Sequence, residues 1–330
     1  MNADTLLSIT EPEHLFSGDE GEAKSLYREL SKRWHPDVPS GDVKIFSHLS
    51  NLYQERAKLL SNGNWKGAQD LHLGAHQIEV LRGHQTTFGM GYISRNQVWY
   101  TYQSDHAEFW ERARKASKLF KFANEKMKKE MIRFLPELQM EGFADDGRRF
   151  IALSKPSDLI RLRDAVEFLG GFEAKHSAWV ISGLLNIACY LRYSNIVHQN
   201  LSQDTVFISP EHHSVVVLGG WEYVAARGSH ISIVPAQTFE VMSFRAKTLK
   251  IASSLTDLEC IKRIGRELAK YDSTPKVIRD WLGRVSDAVI VDQYSEWMET
   301  LKQAYGPRRF VHLKLSAEDV YGRSLLLERK

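Results

Sequence analysis

Apolar residues in the first sixty positions fall into two stripes of helical period. Between Glu20 and Trp34, Ala23, Leu26, Tyr27, Leu30 and Trp34 recur at intervals of three and four, which is one face of a helix. A second stripe of Ile45, Phe46, Leu49, Leu52, Tyr53, Ala57 and Leu60 predicts a helix from about Val43 to Leu60. Pro36 stops the first helix, because the residue ahead of a proline avoids the helical region. The polar turn Val38-Pro39-Ser40-Gly41-Asp42 leads into the second. Two facing stripes across a short loop predict an antiparallel helical hairpin. A shorter helix is expected at Glu11–Phe16, followed by a Ser17-Gly18-Asp19 break whose side chains can cap the helix at Glu20.

The pattern then changes. Residues 63–76 carry glycines and polar side chains and read as a linker. Ile78–Leu81, Phe88–Ser94 and Val98–Gln103 are short runs rich in β-branched and aromatic residues, hence strands. His106–Phe134 reads as one long charged helical region, with strands near Leu138–Phe143 and Arg149–Leu153 after it. Beyond Ser157 the chain is mainly helical, apart from a strand pair at Thr205–Ile208 and Ser214–Leu218. The class is α+β.

Composition narrows the function classes. The 330 residues include 44 basic and 41 acidic side chains, a net charge of +3 that does not suit a general nucleic-acid coat. Two distant cysteines, Cys189 and Cys260, exclude a disulfide framework and a cysteine zinc site. The longest apolar stretch, Ala178 to Leu191, is too short to span a bilayer and reads as a core helix. The amino terminus lacks a basic region followed by an apolar one, so a cytoplasmic protein with no membrane partner is expected.

The chemistry starts at His35-Pro36-Asp37, between the two helices. Lys24, Arg28 and Lys32 are spaced by four and line one helix face, with Arg33 beside them. With Tyr27, Arg28 and Leu30 before the turn, Trp34 at it, and Phe46, Leu49 and Tyr53 after it, residues 1–62 resemble a J-domain, the module of DnaJ-type co-chaperones. The resemblance implies that this module stimulates the ATPase of a DnaK-type chaperone. It implies a chaperone-binding surface of Lys24, Arg28, Lys32, Arg33, His35, Pro36 and Asp37, with the Asp37 carboxylate meeting an arginine of the partner. His35 is expected to hold the turn.

Residues 77–330 resemble a protein kinase, with a β-rich small lobe at about 77–153 and a helical large lobe at about 154–330. The best local match is Ile196-Val197-His198-Gln199-Asn200-Leu201, which resembles the catalytic loop. Asp146-Gly147 through Ala152-Leu153-Ser154 resembles the turn, strand and hinge between lobes. Ser254–Asp257 resembles the start of the helix that anchors the large lobe. Phosphoryl transfer needs a strand lysine, a catalytic aspartate, and an asparagine and an aspartate for magnesium. These positions fall on Gln103, Asn200, Thr205 and Gly219, none of which is charged at neutral pH. Glu125 is the candidate for the helix glutamate, without its lysine. Gly89 and Gly91 are too few for a phosphate cradle, and Asp204 is the one side chain placed to rescue a metal contact. A catalytically dead kinase-like domain is expected, with neither cofactor nor metal.

The sequence therefore reads as a J-domain co-chaperone whose kinase-like domain binds a client protein or sets location. The alternatives are a kinase-like nucleotide-transferring enzyme recruited by its J-domain, or a nucleic-acid adaptor using the basic run from Arg112 to Lys129. That run is interleaved with Glu108, Glu111, Glu125 and Glu130, which favours a solvated helix surface. His72 and His76 lack a third ligand nearby, and His212-His213 is expected at a solvated turn.

Overall fold

A computed structural model describes residues 3–16, 20–39, 41–61, 65, 69–268, 273–286, 289–307 and 309–321. By internal contacts the chain forms two compact units, one mainly of residues 1–103 and 142–150, the other of residues 104–141 and 151–320.

The first unit begins with three helices, α1 (Ala3–Ser8), α2 (Glu20–Trp34) and α3 (Val43–Ser61). The helix expected at Glu11–Phe16 is only a 3-10 turn at Pro12–His14, and α1 precedes it. Proline suits a first helical turn, but a stretch this short gains too few hydrogen bonds to propagate. The expected caps Ser17 and Asp19 lie outside the described residues. Helices α2 and α3 occupy the predicted spans and run antiparallel, with Glu20 beside Arg56 at one end and the Trp34 carbonyl accepting from Asp42 at the other. Leu6, Leu15, Phe16, Ala23, Leu30, Ile45, Leu49, Leu52 and Trp65 form one shared core.

The linker expected at 63–76 is corrected by that core and by a strand pair. Trp65 is buried among the helices, and strand β1 (Gln69–Leu73) pairs antiparallel with β2 (His76–Val80) in register Leu73↔His76. Burial of Leu73, Ile78 and Val80 explains why this stretch folds as strand. Strands β3 (Arg82–Gln85), β4 (Met90–Ile93) and β5 (Gln97–Tyr102) come next as an antiparallel meander.

In the second unit, the segment expected as one helical region is broken into α4 (Ala107–Lys115) and α5 (Glu125–Met131). Asn124 caps α5, its Oδ1 accepting the Met127 N–H at 2.8 Å. The intervening Phe120 and Phe122 leave helical geometry to pack on Tyr190, and Phe120 also meets Trp221 edge-on at 5.3 Å. Aromatic burial thus offsets the lost helical bonds. Strands β6 (Leu138–Phe143) and β7 (Arg149–Ser154) complete a five-stranded sheet of order β3-β4-β5-β7-β6.

The remaining elements surround a 20-residue core helix. After β8 (Ile160–Arg161) and α6 (Leu162–Leu169), α7 (Ala174–Tyr193) is buried along most of its length. Strands β9 (Ile196–Val197), β10 (Val206–Ser209), β11 (Ser214–Val217) and β12 (Ala225–Ala226) form two small sheets, β11-β10-β8 and β12-β9. Among the described residues the fold is completed by helices α8 (Ala236–Val241), α9 (Phe244–Leu249), α10 (Ser254–Leu268), α11 (Lys276–Gly283), α12 (Ile290–Tyr305) and α13 (Ala317–Tyr321). Helix α7 packs on α10 and α12. Gly265 of α10 allows the closest approach, since a Cβ there would lie 2.9 Å from Ile181 of α7 and 2.5 Å from Leu282 of α11. Among the described residues, no helix is long and apolar enough to cross a membrane.

Candidate functional site

The turn between α2 and α3 is built from its backbone outward. The His35 carbonyl accepts the Val38 N–H at 3.0 Å, and the Val38 carbonyl accepts the Gly41 N–H at 2.8 Å. A Cβ on Gly41 would lie 1.8 Å from the His35 oxygen, so only glycine closes the loop this tightly. Asp42 caps α3, its Oδ1 accepting the N–H groups of Lys44 (2.7 Å) and Ile45 (3.1 Å). The His35 ring packs edge-on against Phe46 at 5.0 Å, and its Nδ1 accepts the Asp37 N–H at 3.3 Å. His35 therefore holds the turn. The Asp37 side chain lies 88% exposed beyond it.

The opposite end of the hairpin is locked. Tyr27 stacks on Tyr53 at 4.3 Å, Tyr53 donates to Glu20 Oε1 at 3.2 Å, and buried Arg56 donates to Glu20 Oε2 at 2.7 Å. The Arg56 hydrogen bond holds the Glu20 carboxyl below its ordinary range. Lys24, Arg28, Lys32 and Arg33 are all exposed, and with Glu29 they line a shallow groove along α2. Among the described residues, Lys24, Arg28 and Lys32 form no ion pair within 4.0 Å. The seven residues singled out in the sequence thus share one continuous stretch of α2 and the turn after it.

The loop after β9 is organised by a buried carboxylate. Asp257 of α10 accepts the N–H groups of His198 and Gln199, both at 2.8 Å. Burial pushes its pKa up to about 7, against the lowering effect of those two bonds. Gln199 sits at φ 65°, a conformation that costs a non-glycine residue, and its Nε2 donates to the Tyr223 carbonyl at 2.6 Å. His198 Nδ1 accepts the Asn200 N–H at 3.2 Å, which leaves Nε2 to donate to the Gly219 carbonyl at 3.1 Å. Complete burial takes this imidazole down to about 3, so it is neutral at physiological pH.

Asn200, Thr205 and Gly219 bring no anionic group to this loop. Asn200 is buried, with its Oδ1 unpartnered among the described residues. Thr205 spends its hydroxyl on the Asn200 carbonyl at 2.7 Å and on the Ser202 N–H at 3.0 Å. Gly219 has no side chain to offer. At Gly220, φ 80°, a Cβ would lie 2.8 Å from His198 and 3.0 Å from Asn200. Trp221 closes the loop, its indole donating to Val217 and its ring edge-on to His198 at 4.7 Å. Asp204 is withheld from any metal contact, because Arg163 grips both its carboxylate oxygens at 3.2 and 3.0 Å and Arg161 approaches to 3.5 Å.

The remaining expected positions, Gln103, Gly89 and Glu125, do not assemble a phosphate site. Gln103 is exposed just past β5, and its N–H donates to the Phe88 carbonyl. Residues 86–89 form a tight turn with Phe88 buried, in which the Thr86 N–H goes to Gly89 and the Met90 N–H to Thr101 Oγ1. Those two donors are spent within the turn and on the neighbouring strand. Glu125 does not serve as the helix glutamate: it lies exposed in the first turn of α5, 3.9 Å from Lys128 of the same helix.

With this geometry in view, comparison with known proteins speaks to the fold. No family model matches the sequence, and no curated protein matches it. A solved structure of vaccinia related kinase 3 matches with a TM-score of 0.51 at 14% identity, covering 78% of this chain and 94% of that one. The chain has a protein-kinase-like fold.

Within the kinase-like part, sequence reasoning missed the Arg161 and Arg163 clamp on Asp204 and the closure by Trp221. Two motifs are placed differently from expectation. His72 and His76 face different partners across the β1–β2 pair, His76 packing on Trp99 and Phe150. His213 is no solvated tip, since its ring lies between Trp179 (4.9 Å) and Phe310 (4.1 Å). Asp158, Glu211 and His212 bring ligand atoms within 4.8 Å of one another, but Asp158 already accepts from Ser209. In the basic run, Arg112, Arg114, Lys115 and Lys128 each pair with a glutamate, as a solvated face would.

Proposed function

We propose that this protein is a co-chaperone in which residues 1–62 act as a J-domain on a DnaK-type chaperone, while the kinase-like part binds a client protein or fixes location without transferring phosphate. The observation that carries the reading is the Asp37 carboxylate, exposed at the end of the ion-pair-free face of Lys24, Arg28 and Lys32. An anionic partner surface would be steered by that face, which sets on-rate and orientation more than affinity. Asp37 would then add one charge-assisted hydrogen bond, of about 1.5–3 kcal/mol. The absence of phosphoryl transfer is supported by Gln103, Asn200, Thr205 and Gly219 together, since each missing charged group usually costs several kcal/mol of transition-state stabilisation. The cytoplasm is the compartment where this reading places the encounter.

The test is association of the full chain with an ATP-loaded DnaK-type chaperone, followed by fluorescence anisotropy. Replacing Lys24, Arg28 and Lys32 together by Glu is expected to slow association at least tenfold near 0.05 M salt, and far less near 0.5 M, where the Debye length is only about 4 Å. Equal association of wild type and variant at low salt would remove the proposal.

A further inference from the structure

The segment from Arg227 to Lys250 carries an outward face that the fold does not explain. It has its own small core, in which Ile231, Met242, Ala246 and Ala252 pack with Val197. Residues 228–231 run beside 250–252, with the Gly228 N–H on the Ala252 carbonyl and the Ile231 N–H on the Lys250 carbonyl, both 2.8 Å. The inward side of the segment is therefore filled by Thr238 of α8, Met242 just after it and Ala246 of α9. Phe239, Phe244 and Leu249 nevertheless point out, Phe244 with 84% of its surface exposed and the other two about half exposed.

Cations surround these apolar side chains. The segment holds Arg227, Arg245, Lys247 and Lys250 against a single acid, Glu240. Lys247 joins the two helices, its ammonium 5.1 Å from the Phe239 ring centre and bonded to the Glu240 carbonyl. Arg245 and Lys250 are exposed and form no ion pair among the described residues. An aromatic side chain this exposed, followed along the chain by Arg245, Lys247 and Lys250, has the chemistry of an interfacial anchor.

We propose that this face docks on an anionic lipid surface, with Phe244 inserted among the headgroups and Arg245, Lys247 and Lys250 set against their charges. Two features favour lipid over a protein partner. Phe244 is almost wholly exposed, so a protein would have to supply a shaped pocket, whereas a bilayer interface accepts a protruding anchor. The exposed charges beside it, Arg245 and Lys250, are both cationic, which suits the uniformly negative surface of an anionic bilayer. The contact rests on the surface and crosses nothing, in keeping with the helices described above. It is independent of the co-chaperone reading.

The experiment is co-sedimentation of the full chain with large unilamellar vesicles of phosphatidylcholine, alone or with about 30% phosphatidylserine. Binding is expected only with phosphatidylserine, falling at least tenfold between about 0.05 M and 0.5 M salt. Phe244→Ser is expected to weaken it about fivefold or more, and Arg245→Glu with Lys250→Glu to abolish it. All three residues are exposed, so unchanged melting temperatures will confirm that the variants fold. No gain over phosphatidylcholine, or undiminished binding by both variants, overturns the proposal. It is overturned equally if a soluble peptide of repeated Glu-Glu-Leu-Phe binds in a Phe244-dependent way while the vesicles do not, which would make the face a protein dock.

Discussion

Two loops in this molecule share one local device and put it to opposite ends. In the turn after α2, the N–H of Asp37 donates to the Nδ1 of His35 two residues earlier, at 3.3 Å. In the loop after β9, the N–H of Asn200 donates to the Nδ1 of His198, again two residues earlier, at 3.2 Å. Each loop also depends on a glycine that no other residue can replace without a clash, Gly41 in one and Gly220 in the other. The outcome differs in what lies around them. The first histidine is half-buried against one ring and projects a carboxylate into water. The second is sealed by Trp221, anchored by Asp257 and followed by a buried amide. A backbone scaffold of this kind fixes where a side chain stands. Its burial and its charge decide whether that side chain can meet a partner.

The largest expected effect separates the two carboxylates by stability. Asp257→Ala strips the acceptor from two buried N–H groups and is expected to cost about 2–6 kcal/mol in urea unfolding, at about 1–3 kcal/mol per orphaned donor. Asp37→Ala, at an exposed position, is expected to stay within about 0.5 kcal/mol of wild type. Comparable losses in both would erase the distinction. Next come the glycines. Gly41→Ala and Gly220→Ala are each expected to destabilise by about 1–3 kcal/mol, because backbone at Gly41 and packed side chains at Gly220 must shift to admit a methyl group. Thermal melts of the two variants measure this, and a neutral result at either site would show that its loop is looser than described.

The buried loop carries a pH effect of its own. His198 is lowered to about 3, so below its unfolded value the unfolded chain binds the extra proton and stability rises with pH. Asp257 is raised to about 7, so from its unfolded value upward the folded chain holds the extra proton and stability falls with pH. The two slopes oppose each other between about pH 4 and 6.5. Asp257→Asn removes one of them, and its stability relative to wild type is expected to climb by about 1.4 kcal/mol per unit from pH 4 to 6. Urea titrations at intervals across that range will reveal a parallel course if the assignment is mistaken. The smallest expected effect is none at all. Asn200→Asp should not transfer label from ATP to protein, because Gly219 still lacks a carboxylate and Asp204 stays in the grip of Arg163. Measurable transfer would reopen the enzyme reading.

Legibility in the sequence tracks the range of the interactions involved. The periodicity of Ala23, Leu26, Leu30 and Trp34 fixed α2, because a helix face is a local pattern. Pro36 and Gly41 marked the turn for equally local reasons. The kinase-like order of elements was legible through Val197, His198 and Leu201, and the missing charges through Gln103, Asn200 and Gly219. Trp65 was lost in a polar stretch that reads as linker, since its burial depends on helices formed by the preceding sixty residues. The break before Asn124 was hidden because Phe120 and Phe122 leave their helix for Tyr190, some seventy positions away. The capture of Asp204 by Arg163 spans 41 positions and leaves no trace in spacing.

The most direct test of the central claim is single-turnover hydrolysis of ATP preloaded on a DnaK-type chaperone, started by adding the full chain. Wild type is expected to accelerate hydrolysis at least tenfold, the equivalent of about 1.4 kcal/mol of barrier, whereas Asp37→Asn is expected to leave the rate of the chaperone alone. Equal acceleration by both, or none by either, would contradict the account.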